Sequence, residues 1–211
     1  MVGDIQLRET LLRAVLAVDW VIAAYLVLEG SHHVSALLFV CVLRLDEPEE
    51  WPPLFGSMWQ ITSVQRFWGS FWHRLVVRPY GSHAAVLSRR LLGFEARLGV
   101  DKVFVSFCIF LFSGLAHSAV SWQMGQRCGV WRDAAWFVAN FGAGAVEVVM
   151  QKLGAVLAER MGLGERYHSF ASGVGGRVLG FLWVFAFFFW SVPKWQFPKI
   201  YCATLLEIYN K

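Results

Sequence analysis

Two histidines are the residues of this sequence best suited to proton-transfer chemistry. His117 lies inside the apolar run 103–120, and His73 follows an aromatic segment, Phe67-Trp68-Gly69-Ser70-Phe71-Trp72. An imidazole costs free energy to place at membrane depth, so such a histidine usually faces a cavity, a partner or a substrate. Because histidine also takes up a proton near neutral pH, the pattern indicates acid–base chemistry on a lipid-soluble substrate.

His117 belongs to a stripe of polar residues on one predicted helix. Ser106, Ser113, His117 and Ser121 follow one another at seven, four and four residues, which places them on one helix face. A second apolar run, 134–157, repeats the seven-four pattern with Asn140, Glu147 and Gln151. The two stripes could line a shared cavity in which His117 is a general base that deprotonates a hydroxyl. The alternative is a buried histidine that only hydrogen-bonds a serine or a backbone carbonyl.

The other polar candidates each have a structural alternative. His73 could be a catalytic group or only an amphipathic side chain on an interfacial helix. Glu147 could be a charge partner, a helix–helix hydrogen bond or a group that orients an imidazole. Arginines and tryptophans near a membrane interface could bind an anionic cofactor or anchor the protein to lipid head groups.

The composition indicates an all-α, multi-span integral membrane protein. The 211 residues are 57% hydrophobic and only 16% charged, with a mean hydropathy of +0.50, whereas a soluble domain carries about a quarter charged residues. The 18 Phe and 11 Trp fit membrane interfaces. The net charge of +4 is concentrated in the segment 60–102, which favours a cytosolic loop and not a nucleic-acid partner.

The four cysteines predict neither a disulfide framework nor a metal site. Cys41, Cys108, Cys128 and Cys202 are widely scattered, and no CxxC pair or metal-ligand spacing with the histidines is present. Cys41 and Cys108 lie in apolar runs, where a cysteine usually acts as a small buried hydrophobe.

The apolar runs predict the elements that must position these residues. The first is 11–28, which the segment Gly30-Ser31-His32-His33 separates from a shorter run, 34–45. Two prolines keep Trp51-Pro52-Pro53 out of a helix, and the spacing from Val64 to Leu75 predicts an amphipathic helix that lies at the membrane interface. Further spans are predicted at 103–120, 134–157 and 177–192, with a polar loop at 160–176 and a short tail at 198–211. No second domain is visible, so we expect a single membrane domain, 1–211.

Three motifs in order resemble one family. They are Trp51-Pro52-Pro53-Leu54-Phe55-Gly56-Ser57, then Phe67-Trp68-Gly69 with Trp72-His73, then Ser113-Gly114 with His117. This order is similar to the wax synthase-like branch of the membrane-bound O-acyltransferases, which includes fungal acetyltransferases that act on terpenoids and meroterpenoids. The segment Gly180-Phe181-Leu182-Trp183-Val184 and Pro193-Lys194-Trp195 resemble the closing span of that family. The resemblance covers about residues 50–200.

The resemblance implies an acyl-CoA:alcohol O-acyltransferase of the EC 2.3.1 type in the endoplasmic reticulum membrane, in secondary metabolite biosynthesis. His117 stands at the position of the family's catalytic histidine, and His73 stands where relatives carry asparagine or histidine. Trp68, Trp72, Arg74 and Ser113 are then candidate substrate-binding residues. The co-substrate is acyl-CoA, with acetyl-CoA the expected donor, and the acceptor is a terpenoid or a long-chain alcohol. No metal or bound cofactor is implied.

The sequence departs from this family before Trp51. Relatives carry further membrane helices there, whereas only one or two apolar runs precede Trp51 here. The chain could therefore be a short member, an N-terminally truncated product, or a part completed by another chain. The alternative function is an inactive membrane scaffold or subunit. A transporter subunit would also explain polar stripes, but no internal repeat supports that class.

Overall fold

The described part of the protein, residues 2–95 and 99–209 of a computed structural model, is built of helices. Seven α-helices follow one another there, and no strand occurs among the described residues. They are α1 (Val2–Ala36), α2 (Val64–Arg66), α3 (Val77–Val86), α4 (Gly99–Gln123), α5 (Trp131–Arg160), α6 (Gly164–Ser172) and α7 (Val174–Tyr209). The predicted all-α fold is confirmed. Residues 96–98 of the basic segment and 210–211 of the tail lie outside the described residues.

Four helices are long and apolar enough to cross a membrane. By length and composition these are Gln6–Val42, Gly99–Gln123, Trp131–Arg160 and Val174–Leu206. A hydrocarbon core about 30 Å thick needs roughly 20 apolar residues in a helix, so each of the four exceeds that length. The prediction of a multi-span helical membrane protein is confirmed at this level.

The N-terminal region differs from the prediction of two separate apolar runs. Gly30-Ser31-His32-His33 does not break the helix: α1 continues through it, and a π-helix, Leu37–Val42, extends it. The Nδ1 atom of His33 lies 2.7 Å from the backbone oxygen of Glu29, one turn earlier. A polar side chain that binds the backbone of its own helix satisfies both groups locally. The polar segment is therefore compatible with a continuous helix.

The C-terminal region is also more helical than expected. Pro193 was predicted to end the last span, but α7 continues through Pro193 and Pro198 to Tyr209. Prolines are tolerated inside membrane helices where neighbouring groups satisfy the freed backbone atoms, and Pro193 is fully buried. The predicted polar loop at 160–176 contains the helix α6, and α5 ends just before Gly162, which has a positive φ of 71°.

The chain forms two compact units. The first contains the residues up to Arg74 together with Val178–Pro193, and the second contains Leu75–Arg177 together with the residues from Lys194 onward. The α7 helix contributes to both. A single membrane domain therefore stays a prediction.

The core of the first unit is an aromatic cluster around Trp20 of α1. The Trp20 ring centroid lies 5.0 Å from that of Trp72 and 5.3 Å from that of Phe188 on α7. Phe67 packs on the same group, 4.7 Å from Phe188, and is buried. Offset and edge-on contacts of this kind add to the free energy of burial. The backbone of α7 also lies directly against the segment before α2: an added Cβ at Gly180 would collide with the Thr62 carbonyl.

The second unit is organised around the antiparallel pair α4 and α5. Its tightest point is Gly114, where an added Cβ would stand 2.6 Å from the Ala134 Cα. The α3 helix packs along α4, with the Tyr80 ring against Phe112 at 6.1 Å. Near the beginning of α4 the buried Asp101 carboxylate accepts a hydrogen bond from the Ser88 hydroxyl at 2.7 Å.

Candidate active site

His117 lies on α4 and faces the neighbouring helix α5. Its ring stacks on Phe137 with a centroid distance of 4.9 Å and an angle of 20° between the planes. Phe137 is buried, but His117 itself is exposed in this chain. Among the described residues His117 is therefore not the buried histidine of the sequence-based alternative, and its catalytic role stays a prediction. The stack covers one face of the ring and so restrains its orientation.

The packing beside His117 is tight and partly polar. Gly114 and Ser113, in the turn before it, are both buried against α5. The buried Ser118 hydroxyl donates to the Val130 carbonyl at 2.8 Å and accepts from the Ala134 backbone amide at 3.3 Å. These contacts join α4 to the beginning of α5. They fix the helix face that carries His117.

The predicted polar stripe on α4 is only partly a buried surface. Ser113 is buried and Ser121 is half-buried, whereas Ser106 is exposed. A role of Ser113 in substrate binding stays a prediction.

Asp133 of α5 is the centre of a buried polar network in the second unit. Its side chain is 1% exposed. One carboxylate oxygen, Oδ1, accepts hydrogen bonds from Trp195 Nε1 at 2.6 Å and from the Lys199 ammonium at 2.7 Å. The other, Oδ2, accepts from the Ser121 hydroxyl at 2.8 Å. A buried charge needs such partners to offset its desolvation, and here they come from α4 and α7.

Two of the three residues of the polar stripe on α5 are buried. Asn140 is fully buried and donates from Nδ2 to the Trp136 carbonyl at 2.8 Å, and Glu147 is also buried. Gln151 is exposed, and its backbone carbonyl accepts from the Tyr167 hydroxyl of α6 at 3.2 Å. That the stripe lines a cavity shared with α4 stays a prediction.

His73 lies in the first unit, at the edge of the aromatic cluster. Its ring stands edge-on to Phe55 with a centroid distance of 5.7 Å, and 5.4 Å from Trp72. Phe55 belongs to the Trp51–Ser57 motif, so the first two sequence motifs meet at His73. The ring is half-buried, with the Nδ1 atom shielded from solvent. This environment positions an imidazole more firmly than an exposed interfacial helix would.

The amphipathic helix predicted from Val64 to Leu75 is helical only as far as Phe71. The backbone makes one α-turn, α2, then a π-helix over Phe67–Phe71, and becomes extended at Trp72. Its aromatic side chains pack on α1 and α7, and a position at the membrane interface stays a prediction. Trp72 is buried and Trp68 half-buried, whereas Arg74 is exposed.

The candidate residues thus fall into two groups. His73, Trp68, Trp72 and Arg74 belong to the first unit, and His117 and Ser113 belong to the second. Within the first unit, His73 and Trp72 are in ring contact. Within the second, Ser113 and His117 lie one turn apart on α4.

Three site residues escaped the sequence reasoning: Asp133, Trp195 and Lys199. The predicted span began at Ala134 and so left out the acidic residue directly before it. Trp195 and Lys199 fell outside the predicted span 177–192. Their four-residue spacing is that of one helix face, but it carried no weight because the helix was taken to end before Pro193.

The second unit also contains a disulfide bond that the cysteine spacing did not predict. Cys128, in the connection between α4 and α5, is bonded to Cys202 of α7, and the two Cα atoms are 5.8 Å apart. The sequence separation of 74 residues gave no local pattern to recognise. Cys41 and Cys108 are free; Cys108 is buried as expected, whereas Cys41 is exposed in this chain, contrary to the prediction.

The fold and the site define a class: a helical protein with four described helices long and apolar enough to cross a membrane, with one candidate imidazole at an aromatic core and another on a tight helix pair. The model of the membrane bound O-acyl transferase family matches residues 51–139. This segment contains both histidines and Asp133. The predicted resemblance to that family is therefore confirmed, and residues 51–139 carry it.

Curated relatives extend the similarity beyond that segment. Acetyltransferase atnC of Arthrinium sp. is 28% identical over 86% of this chain and 40% of its own length. Acetyltransferase aurG of Calcarisporium arbuscula is 27% identical over 94% and 46%, and O-Mevalon transferase yanI of Aspergillus niger is 28% identical over 74% and 36%. The chain thus spans less than half the length of these relatives. No solved structure matches it.

Proposed function

We propose that this chain is an acyl-CoA-dependent O-acyltransferase. It would move an acyl group, with acetyl the expected one, to the hydroxyl of a hydrophobic alcohol such as a terpenoid or a long-chain alcohol. The observation that carries the proposal is the family match over residues 51–139, which includes His73 and His117. Two relatives named acetyltransferases support the acetyl donor, while the O-Mevalon transferase bears the name of a different group.

His117 is the proposed general base. Its imidazole takes the proton of the acceptor hydroxyl while that oxygen attacks the thioester carbonyl carbon of the donor. The new C–O bond forms and the C–S bond breaks, so that the CoA thiolate leaves and takes the proton back from His117; the products are the ester and the CoA thiol. The exposure of His117 and the restraint of its ring by Phe137 support this role.

His73 is the proposed positioning group for the acyl donor. Together with Trp72 and Arg74 it would hold the donor or polarise its carbonyl oxygen. The contact of His73 with Phe55 and Trp72 supports a fixed ring orientation. Arg74 is exposed and so is available to an anionic group.

The phosphates of the CoA would bind the basic segment 66–102. Arg89 and Arg90 are exposed there, and Arg89 is only loosely engaged, 3.3 Å from the Asp101 carboxylate. Guanidinium groups recognise phosphate by charge-assisted hydrogen bonds. This supports a cytosolic position for the segment, because acyl-CoA is a water-soluble anionic co-substrate.

We place the protein in the endoplasmic reticulum membrane. The Cys128–Cys202 bond supports this, since disulfides persist in compartments that are oxidising. The disulfide lies at the end of the α4–α5 pair opposite to Arg89 and Asp101. One end of the second unit would face the lumen and the basic end the cytosol.

A second candidate function is an inactive membrane scaffold or subunit. Its support is the exposure of His117 in this chain, which is compatible with a site that needs further protein around it.

Microsomal acyl transfer separates the two functions. Labelled acetyl-CoA and longer acyl-CoAs are offered with a panel of terpenoid and fatty alcohols, and ester formation is measured. We expect transfer by the wild type, its loss in His117→Ala, and its retention in His168→Ala, which removes an exposed histidine of α6. Undiminished transfer by His117→Ala would make the catalytic assignment wrong. No transfer by well-inserted wild type over the whole panel would favour the scaffold.

A further inference from the structure

Two successive contacts join α4 and α5 beside the proposed base. His117 stacks on Phe137, and one turn further along α4 the Ser121 hydroxyl donates to Asp133, one turn earlier on α5. Because the helices are antiparallel, these two contacts are neighbours along the same helix pair. The Ser121–Asp133 hydrogen bond therefore restrains the position of α4 on α5 one turn from the stack.

The contact made by Asp133 is held more firmly than the stack of His117 on Phe137. Its carboxylate accepts three hydrogen bonds, at 2.6, 2.7 and 2.8 Å, from Trp195, Lys199 and Ser121. Charge-assisted hydrogen bonds are about twice as strong as neutral ones. The Trp136 and Trp195 rings stack at 4.3 Å directly beside it, so the α7 partners are themselves fixed by packing.

We propose that Asp133 is a positioning residue for His117. Through Ser121 it sets the register of α4 on α5, and through Lys199 and Trp195 it ties that register to α7, so that the imidazole stays stacked on Phe137. This inference rests on the proposed function for its catalytic meaning. Its structural content is that the network holds the His117 ring on Phe137, and this does not depend on acyl transfer.

The structural content is tested by the rate at which diethyl pyrocarbonate modifies His117, followed by mass spectrometry on the purified full chain. Ser121→Ala removes one hydrogen bond of about 1 kcal/mol, about fivefold in a conformational population, and a ring that leaves the stack presents both of its faces to the reagent. We therefore expect faster modification in Ser121→Ala, by at most about fivefold because His117 is already exposed, and an acceleration at least as large in Asp133→Asn. Ser121→Ala keeps the Asp133–Lys199 pair and so remains informative if Asp133→Asn does not fold.

Asp101→Asn is the matched control. Asp101 is as buried as Asp133 and also accepts from a serine hydroxyl and a basic side chain, but at the far end of α4. We expect no change in the modification rate of His117 in this variant. An equal acceleration in Asp101→Asn, or none in Ser121→Ala, would overturn the inference, whether or not the wild type transfers acyl groups.

The catalytic meaning is tested by a steady-state comparison. If Ser121 and Asp133 only hold the base, Ser121→Ala lowers kcat about fivefold and leaves the KM for the acyl donor unchanged. A rise in KM with constant kcat would contradict the positioning role. A wild type that transfers no acyl group, with faster modification in Ser121→Ala, would refute the proposed function and leave the fixed ring established.

Discussion

Gly114 of α4 lies directly against Ala134 of α5: a Cβ atom at Gly114 would stand 2.6 Å from the Ala134 Cα and 3.0 Å from the Phe137 Cβ. Gly114 is therefore required for the spacing that lets His117 stack on Phe137. We predict that Gly114→Ala destabilises the protein by about 1–3 kcal/mol, the usual cost of overpacking. Thermal unfolding in detergent measures the loss.

Gly142→Ala is the control for that prediction. Gly142 also lies inside a helix, α5, but an added Cβ there would meet nothing within 4 Å. Replacing an unconstrained helical glycine by alanine stabilises by about 0.5–1 kcal/mol. If both variants unfolded at the same temperature, the close approach at Gly114 would not be the cause of its destabilisation.

The sequence predicted the all-α class and the positions of α4 and α5, because long apolar runs fix the membrane helices almost alone. Motifs that short-range spacing can carry also made His73 and His117 the catalytic candidates, which stays a prediction. It did not predict the continuity of α1 past His33 or of α7 past Pro193. In both helices polar or proline residues are compensated by local or tertiary contacts, which a local pattern does not record.

The Asp133 network could not be predicted for a related reason. Its members lie on three helices, and the partners Lys199 and Trp195 are more than 60 residues from Asp133. Only the packing of α7 on α5 brings them together. The same holds for Phe67 and Trp72. Their helical spacing alone indicated an interfacial helix, because the sequence does not show that the rings of Trp20 and Phe188 lie beside them.

Loss of the Lys199 ammonium should destabilise the second unit strongly. Lys199→Met leaves the buried Asp133 carboxylate without its counter-ion, a change that costs about 3–5 kcal/mol. The double variant Asp133→Asn with Lys199→Met removes both charges and should recover part of that loss. Thermal unfolding of the single and double variants measures the coupling.

The exposed Lys152→Met on α5 provides the control for Lys199 and should change stability by less than about 0.5 kcal/mol. Additive effects of Asp133→Asn and Lys199→Met would mean that the two charges are not coupled, contrary to their 2.7 Å contact.

Truncation of Phe67 should unfold the first unit far more readily than truncation of an exposed aromatic residue. Phe67 is 1% exposed and contacts Trp20 and Phe188, and a buried Phe→Ala change costs about 3–5 kcal/mol. Trp59, which is 80% exposed, is the comparison, and Trp59→Ala should be close to neutral. Equal losses in the two variants, measured by thermal unfolding, would favour the interfacial helix over the buried cluster.

The Cys128–Cys202 bond predicts a specific thiol count. When the protein is denatured without reductant and treated with a polyethylene-glycol maleimide, only Cys41 and Cys108 should react, and all four cysteines should react after reduction. In Cys128→Ser the freed Cys202 adds one labelled thiol, and reductant then changes nothing. Gel mobility shows the number of attached polymers. Four labelled thiols before reduction would contradict the bond.

The same bond predicts the orientation of the second unit in the membrane. A flexible insert with an N-glycosylation acceptor, placed after Gly125 beside Cys128, should be glycosylated, because that end would face the lumen. The same insert after Gly162, between α5 and α6 at the other end of α5, should stay unmodified. Glycosylation after Gly162 alone would reverse the orientation and place the basic segment, with its arginines for the CoA phosphates, on the wrong side for a cytosolic donor.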